Sequence, residues 1–259
     1  MHHAEPGRHE LAQNFLVDRL VVDRIVDLVA ARPGPIVEWG TGNGAITLGL
    51  SELERPLQGI EIDRNRALRL GRRVGAHVCI TEGDILRHAP PDGAVLVSNV
   101  PFHLTTPILR HLLASRTWSA AVLVTQWEVA RKRAGVGGTT QLTAQWWPWY
   151  SFGLDRRISS TSFRPRPSVD AGLLVIERRS RPLVAVAEQA RYSAWVARVF
   201  AGRGRGVADI LVRNGVPRTL AQELARNRSG PRRRPADVLP RDLRAEDWAA
   251  AYNARGPAR

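Results

Sequence analysis

Ile36-Val37-Glu38-Trp39-Gly40-Thr41-Gly42-Asn43-Gly44-Ala45-Ile46-Thr47-Leu48 is the stretch on which the fold turns. A short apolar strand, Ile36–Trp39, runs into a glycine-rich turn, and the turn opens onto an apolar helix, Ala45–Leu53. A strand, a tight turn and a helix in immediate succession make the seed of a βα unit. Working outward, the alternation repeats on both sides. Upstream, Val17–Ala31 carries Leu20, Val21, Ile25, Leu28 and Val29 at helical spacing and stops at Pro33-Gly34-Pro35. Downstream, strands are predicted at Leu57–Ile62, His77–Thr81, Ala94–Ser98 and Ala120–Thr125, with helices at Arg64–Arg73 and Thr106–Ala114 between them. Strands alternating with helices at this spacing pair in parallel through right-handed crossovers, which predicts an open, doubly wound α/β sheet. Tyr150–Leu154 and Gly172–Glu177 read as two more strands, a hairpin at one edge, and Cys79 is expected to be buried in the third strand.

Beyond Pro182 the periodicity is helical only, at Leu183–Phe200, Val207–Arg213, Pro217–Arg228 and Arg244–Asn253. The charge changes at the same place. Residues 1–176 carry 20 basic and 16 acidic side chains, and residues 177–259 carry 18 and 8. Glu177-Arg178-Arg179-Ser180-Arg181-Pro182 therefore reads as a boundary between residues 1–179 and a small, basic, all-α domain, 180–259. The formal charge of the chain is +14, and Lys132 is its only lysine. Arginine presents a planar fork that matches phosphate oxygens in pairs and stacks on bases, so the partner implied is a polyanion. A single cysteine excludes a disulfide framework and a cysteine-based zinc module. No apolar run is long enough to span a bilayer, and the first fifteen residues lack the apolar core of a secretory signal, so a cytoplasmic protein is expected.

The loops at the strand ends carry the chemistry. Gly40-Thr41-Gly42-Asn43-Gly44 has neither the G-K-[ST] of a phosphate loop nor the third glycine of the dinucleotide fingerprint, since Ala45 stands there. The plain alternative is a tight turn that holds nothing. Two acids favour a nucleoside: Glu61 ends the second strand, where a carboxylate can take both ribose hydroxyls, and Asp84 follows the third, where it can take an adenine amino group. With so short a glycine turn, S-adenosylmethionine is expected over NAD. At the end of the fourth strand stands Asn99-Val100-Pro101-Phe102. The Asn99 side-chain oxygen and a backbone carbonyl, expected to be that of Val100, can each accept one N–H of an amine on an aromatic ring. That draws the nitrogen toward tetrahedral geometry and frees its lone pair. Phe102 can stack on the base while Pro101 fixes the turn. Positioning and preorganised acceptors would carry the catalysis.

Six motifs in this order resemble those of the ribosomal RNA adenine N6-methyltransferases, and within them the Erm macrolide-resistance family. They are Gln13-Asn14-Phe15-Leu16, Glu38–Gly44, Glu61-Ile62-Asp63, Asp84-Ile85, Asn99–Phe102, and Phe163-Arg164-Pro165-Arg166-Pro167-Ser168-Val169-Asp170. The resemblance covers about residues 11–177 and implies a Rossmann-like S-adenosylmethionine-dependent methyltransferase sheet. It implies that Gln13, Asn14, Leu16, Gly40, Glu61, Asp84 and Asn99 contact the cofactor, a set that runs along the same motifs to Glu38, Gly42, Gly44, Ile62 and Ile85. It implies that Phe102 and Phe163 hold a flipped adenine of 23S ribosomal RNA, naked or partly assembled, with resistance to macrolides, lincosamides and streptogramin B as the outcome. Trp39 replaces a smaller aliphatic residue usual beside the motif glutamate and is expected to pack without altering the chemistry. Phe102 stands where many relatives have tyrosine.

For the RNA, Arg131, Lys132, Arg133, Arg164 and Arg166 are the expected contacts, near the rim of the cleft, with the C-terminal arginines as the wider grip. A base must leave its stack to be modified, and single-stranded or bulged RNA releases it most cheaply. Trp146-Trp147-Pro148-Trp149-Tyr150 is expected to pack in or near a core rather than to stack bases. The seven histidines show no metal-ligand spacing, so no metal is expected; a monomer is. The competing readings are a small-subunit ribosomal RNA dimethylase and a non-catalytic nucleic-acid-binding relative.

Overall fold

The computed structural model describes residues 14–231 and 233–256. In chain order, β1 (Phe15–Leu16), α1 (Arg19–Ala30), β2 (Ile36–Trp39), α2 (Ala45–Ser51), β3 (Leu57–Glu61), α3 (Arg64–Gly71) and β4 (Val78–Glu82) come first. They are followed by β5 (Val95–Asn99), α4 (Thr105–Ala114), β6 (Ala120–Gln126), α5 (Trp127–Arg133), α6 (Gln141–Trp146), β7 (Tyr150–Ile158), β8 (Phe163–Arg164) and β9 (Ala171–Arg178). Four helices close the chain: α7 (Gln189–Ala201), α8 (Gly206–Arg213), α9 (Arg218–Arg228) and α10 (Ala245–Asn253).

Seven strands form one sheet in the order β4-β3-β2-β5-β6-β9-β7, with β2–β3, β3–β4, β2–β5 and β5–β6 parallel. All four residues of β2 are buried, as a strand covered on both faces requires. The sheet order reverses beside β2, so the carboxyl ends of β2 and β5 flank the switch point. That places Gly40–Gly44 next to Asn99. Local chemistry sets the helix starts: Asp18 accepts the Leu20 N–H at 3.1 Å to open α1, and Asp63 accepts the Arg66 N–H at 3.1 Å to open α3.

The expected edge pair is present, with β7 outermost and β9 between it and β6. Cys79 corrects the expectation made of it: the thiol is exposed. β4 is the outermost strand at the other edge, and only its Val78 is buried. A two-stranded antiparallel sheet, β1 with β8, has no signal in the hydrophobic pattern; it sets Phe15 opposite Arg164 and Leu16 opposite Phe163.

The chain divides into two compact units. The first holds the described residues up to Ala130 together with Leu154–Val175, and the second holds Arg131–Gly153 and the described residues from Ile176 onward. The boundary read from the charge, after residue 179, thus falls inside the second unit, which also takes in 131–153. The reason is aromatic packing. Trp149 meets Tyr192 edge-on at 5.4 Å, Tyr192 meets Tyr252 at 5.0 Å, and Trp195 meets Trp248 at 5.6 Å. The Tyr192 hydroxyl donates to the Ala144 carbonyl at 2.9 Å. Trp147, Trp149 and Tyr150 are buried, as the sequence reading expected of that cluster.

Candidate active site

A cavity of about 310 Å³ opens in the first unit at the switch point. Asn14, Leu16, Glu38, Gly40, Gly42 and Asn99–Phe102 are among its lining residues, so one hollow gathers two of the six motifs and the described part of a third. Gln13 lies outside the described residues. Gly44 caps α2 from behind the lining: its φ is +86°, and a Cβ there would stand 2.4 Å from Leu70 Cδ1. Gly40, at φ +80°, does line the cavity, and a Cβ there would meet nothing within 4 Å. The space a side chain would take is left to a ligand.

Two acids meet beneath the turn. Glu61 is 1% exposed and accepts the Gly42 N–H at 2.7 Å and the Asp63 N–H at 3.0 Å, one on each oxygen. It braces the turn from outside the lining, and each oxygen keeps a second lone pair for a hydroxyl. Glu38 is equally buried, and its Oε2 has no hydrogen-bond partner among the described residues. Burial pushes the Glu38 carboxyl up to about 8, with the charge of Glu61 adding and the neighbouring Thr47 hydroxyl opposing. A buried, unpartnered carboxylate oxygen on a cavity wall suits a ligand that brings positive charge.

Asn99 is oriented by its neighbours. Its side-chain N–H donates to the Asn14 carbonyl at 2.8 Å. A carbonyl only accepts, so the Asn99 Oδ1 is the atom left over as an acceptor. The Pro101 carbonyl is taken by the Leu104 N–H, and the Phe102 carbonyl by Thr105. No group among the described residues donates to the Val100 carbonyl. Ser98 Oγ donates to the Trp39 carbonyl at 2.7 Å, which ties the end of β5 to the end of β2.

Trp39 does more than fill space. Its Nε1 donates to His88 Nδ1 at 3.1 Å, and its ring stacks on His111 at 5.4 Å. With Nδ1 accepting, His88 Nε2 carries the proton and donates to Gln58 Oε1 at 3.2 Å. Burial holds this imidazole below its ordinary 6.5, and His111 adds to the shift.

Other expected residues fall elsewhere. Asp84 is exposed and caps its own turn through the Leu86 N–H at 2.9 Å; Ile62 is exposed and Ile85 is buried, and none of the three lines the cavity. Phe163 corrects its expected role. Pairing with Leu16 across β1–β8 buries it completely, in the apolar cluster against which Phe102 packs, so it backs the Asn99–Phe102 loop instead of facing the cavity. Arg131 and Arg133 are half-buried and bond to the following turn, through the Val136 carbonyl and Thr140 respectively, while Lys132 is exposed. Arg164 and Arg166 are exposed, and Arg166 Nε donates to Ser160 Oγ at 2.9 Å. The sequence reading missed Phe15, which covers Gly42 beneath the Arg66 guanidinium, and Arg73, which reaches the Asn43 carbonyl. Phe15 sat inside a quoted motif; Arg73 had no local signal.

The model of the ribosomal RNA adenine dimethylase family matches residues 4–228. The chain belongs to that family. It is an S-adenosylmethionine-dependent ribosomal RNA adenine N6-methyltransferase, and the Glu38 oxygen and the Gly40 hollow fit the cationic cofactor. This methyltransferase is 49% identical, over 95% of its length and 78% of the relative's, to the mycinamicin-resistance protein MyrB of Micromonospora griseorubida. It is 44% identical to an rRNA adenine N-6-methyltransferase of Corynebacterium diphtheriae, over 81% of its own chain and 83% of the relative. The crystal structure of the 23S rRNA methyltransferase ErmE superposes with a TM-score of 0.80 at 30% identity, covering 93% of this chain and 99% of that one. No helix among the described residues is long and apolar enough to cross a membrane.

Proposed function

We propose that this methyltransferase modifies the N6 amine of one adenine of 23S ribosomal RNA, in the peptidyl-transferase region, and so confers macrolide, lincosamide and streptogramin B resistance. The observation that carries this reading is the near full-length similarity to a mycinamicin-resistance protein, supported by the match to a 23S rRNA methyltransferase. The enzyme acts as a cytoplasmic monomer without a metal, on naked or partly assembled RNA. Methyl transfer belongs to the sheet within residues 1–179, and the basic helices of 180–259 grip RNA.

S-adenosylmethionine supplies an electrophilic methyl group on a sulfonium. Gly40, Gly42 and Gly44 shape the turn that receives it, Glu38 faces its positive charge, and Glu61 holds the turn in place. Asn99 Oδ1 and the Val100 carbonyl accept the two N–H groups of the adenine amine. The bond from Asn99 to the Asn14 carbonyl fixes the amide in the one orientation that serves this purpose. Phe102 stacks on the base, and the apolar cluster holding Phe163 keeps Phe102 in place. Little reorganisation is then left for the moment of transfer.

Tritiated-methyl transfer by the full chain onto protein-free 23S and 16S RNA, followed by primer extension, tests the reading. A single modified adenine in 23S RNA is expected. Label confined to 16S RNA would overturn the assignment and place the chain with the small-subunit dimethylases.

A further inference from the structure

Trp127, Arg157 and Asp170 come from separate stretches of the first unit and meet in one assembly. The Arg157 guanidinium carbon lies over the Trp127 ring, 5.3 Å from its centroid. Arg157 Nε donates to Asp170 Oδ2 at 2.8 Å, and Asp170 Oδ1 accepts the Ser160 N–H at 2.9 Å. The Asp170 carbonyl in turn takes the Trp127 N–H at 2.9 Å. The indole is held from below: a Cβ on Gly172 would come within 3.2 Å of Trp127 Cε3. The guanidinium is thus fixed on one face by a ring and along one edge by a carboxylate. Its side chain is nonetheless 60% exposed, so the second face is open to solvent.

Asp170 already offsets the charge of Arg157, so what this arginine offers is a plane and not a phosphate contact. An open guanidinium plane backed by an aromatic ring is a surface on which a nucleobase stacks. Its place in the sheet suits that role. Asn99 stands opposite Val124 in the β5–β6 register, and Trp127 follows three residues later, roughly 10 Å along the strand direction. An adenine drawn out to Asn99 leaves its neighbours in the RNA short of one stacking face. We propose that the Arg157 guanidinium, backed by the Trp127 indole, is the stacking platform for the nucleotide adjoining the target adenine. The proposal rests on the reading above in which Asn99 receives that adenine.

The test uses the full chain and a fluorescently labelled RNA stem-loop carrying the adenine mapped by primer extension. Binding is read by anisotropy for the wild type, R157A and R157K, with intact RNA and with an abasic residue 5′ or 3′ of the adenine. One abasic position is expected to weaken wild-type binding about tenfold. R157A is expected to cost a similar factor on intact RNA and to make that abasic position neutral. R157K keeps the charge facing Asp170 but has no plane, so it should behave like R157A. The loss should appear in KM for RNA, with kcat and cofactor affinity within about twofold of wild type. R157K binding like the wild type, or an abasic penalty undiminished in R157A, would overturn the proposal. So would a parallel loss of cofactor affinity in R157K. If methylation maps to 16S RNA, the stem-loop is drawn from there; the assignment to 23S RNA then fails while the platform is still decided.

Discussion

Glu38→Gln is the substitution that most directly probes the active site. The carboxyl is 1% exposed, has an unpartnered oxygen, and is pushed from its ordinary 4.5 up to about 8. An acid whose folded value is raised favours the folded protein only while it is protonated. Its stability is therefore highest below pH 4.5, declines between 4.5 and 8, and levels off above 8. Each pH unit in that window removes about 1.4 kcal/mol, so the ligand-free wild type carries a burden of about 1 kcal/mol at pH 5 and about 3 kcal/mol at pH 7. A glutamine side chain in this position has no charge to bury. At roughly 2–4 °C per kcal/mol, the variant should melt roughly 2–4 °C above wild type at pH 5 and roughly 6–12 °C above it at pH 7. The same change should weaken S-adenosylmethionine binding at least tenfold, because the cofactor's positive charge loses its counter-charge. Thermal melts at the two pH values and calorimetric titration with the cofactor check both halves. A melting difference independent of pH would refute the claim that Glu38 is held neutral by burial. Unchanged affinity would refute its role toward the cofactor.

Asn99→Ala should lower methyl transfer by about 10²–10³-fold, the usual cost of one preorganised polar contact, with calorimetric cofactor affinity changed far less. Trp39→Leu strands His88 Nδ1 and leaves a void against His111, and should destabilise the protein by about 3 kcal/mol in denaturant titrations, with cofactor affinity near wild type. Gly44→Ala places a Cβ 2.4 Å from Leu70 Cδ1 at φ +86°, and should cost about 1–3 kcal/mol and weaken cofactor binding by tilting the turn. Isothermal titration reads the last effect, and a fully stable, tight-binding variant would show the turn to be more forgiving than its geometry implies.

Much of the site was legible because it is made of short-range units. A strand end, a glycine turn and an Asn-x-Pro-Phe loop are each contiguous, and the alternation of strands and helices dictates that their ends share one edge of a parallel sheet. Glu38, Gly40 and Asn99 therefore met as expected. Residues whose position depends on a distant partner were misread. Phe163 looks like an aromatic beside the cavity until its pairing with Leu16 buries it. Cys79 looks like a core residue until β4 proves to be the outermost strand.

The amino-acid order by itself determined the parallel sheet, its switch point and the acceptor loop there, because hydrophobic period and turn chemistry act over a few residues. Only the tertiary structure decided which way Asn99 faces, that Glu38 Oε2 has no hydrogen-bond partner among the described residues, and that residues 131–153 pack with the helical unit. It alone brought Trp127, Arg157 and Asp170 together. Desolvation, ring packing and the pairing of remote strands arise between segments, and no local stretch of the chain carries them.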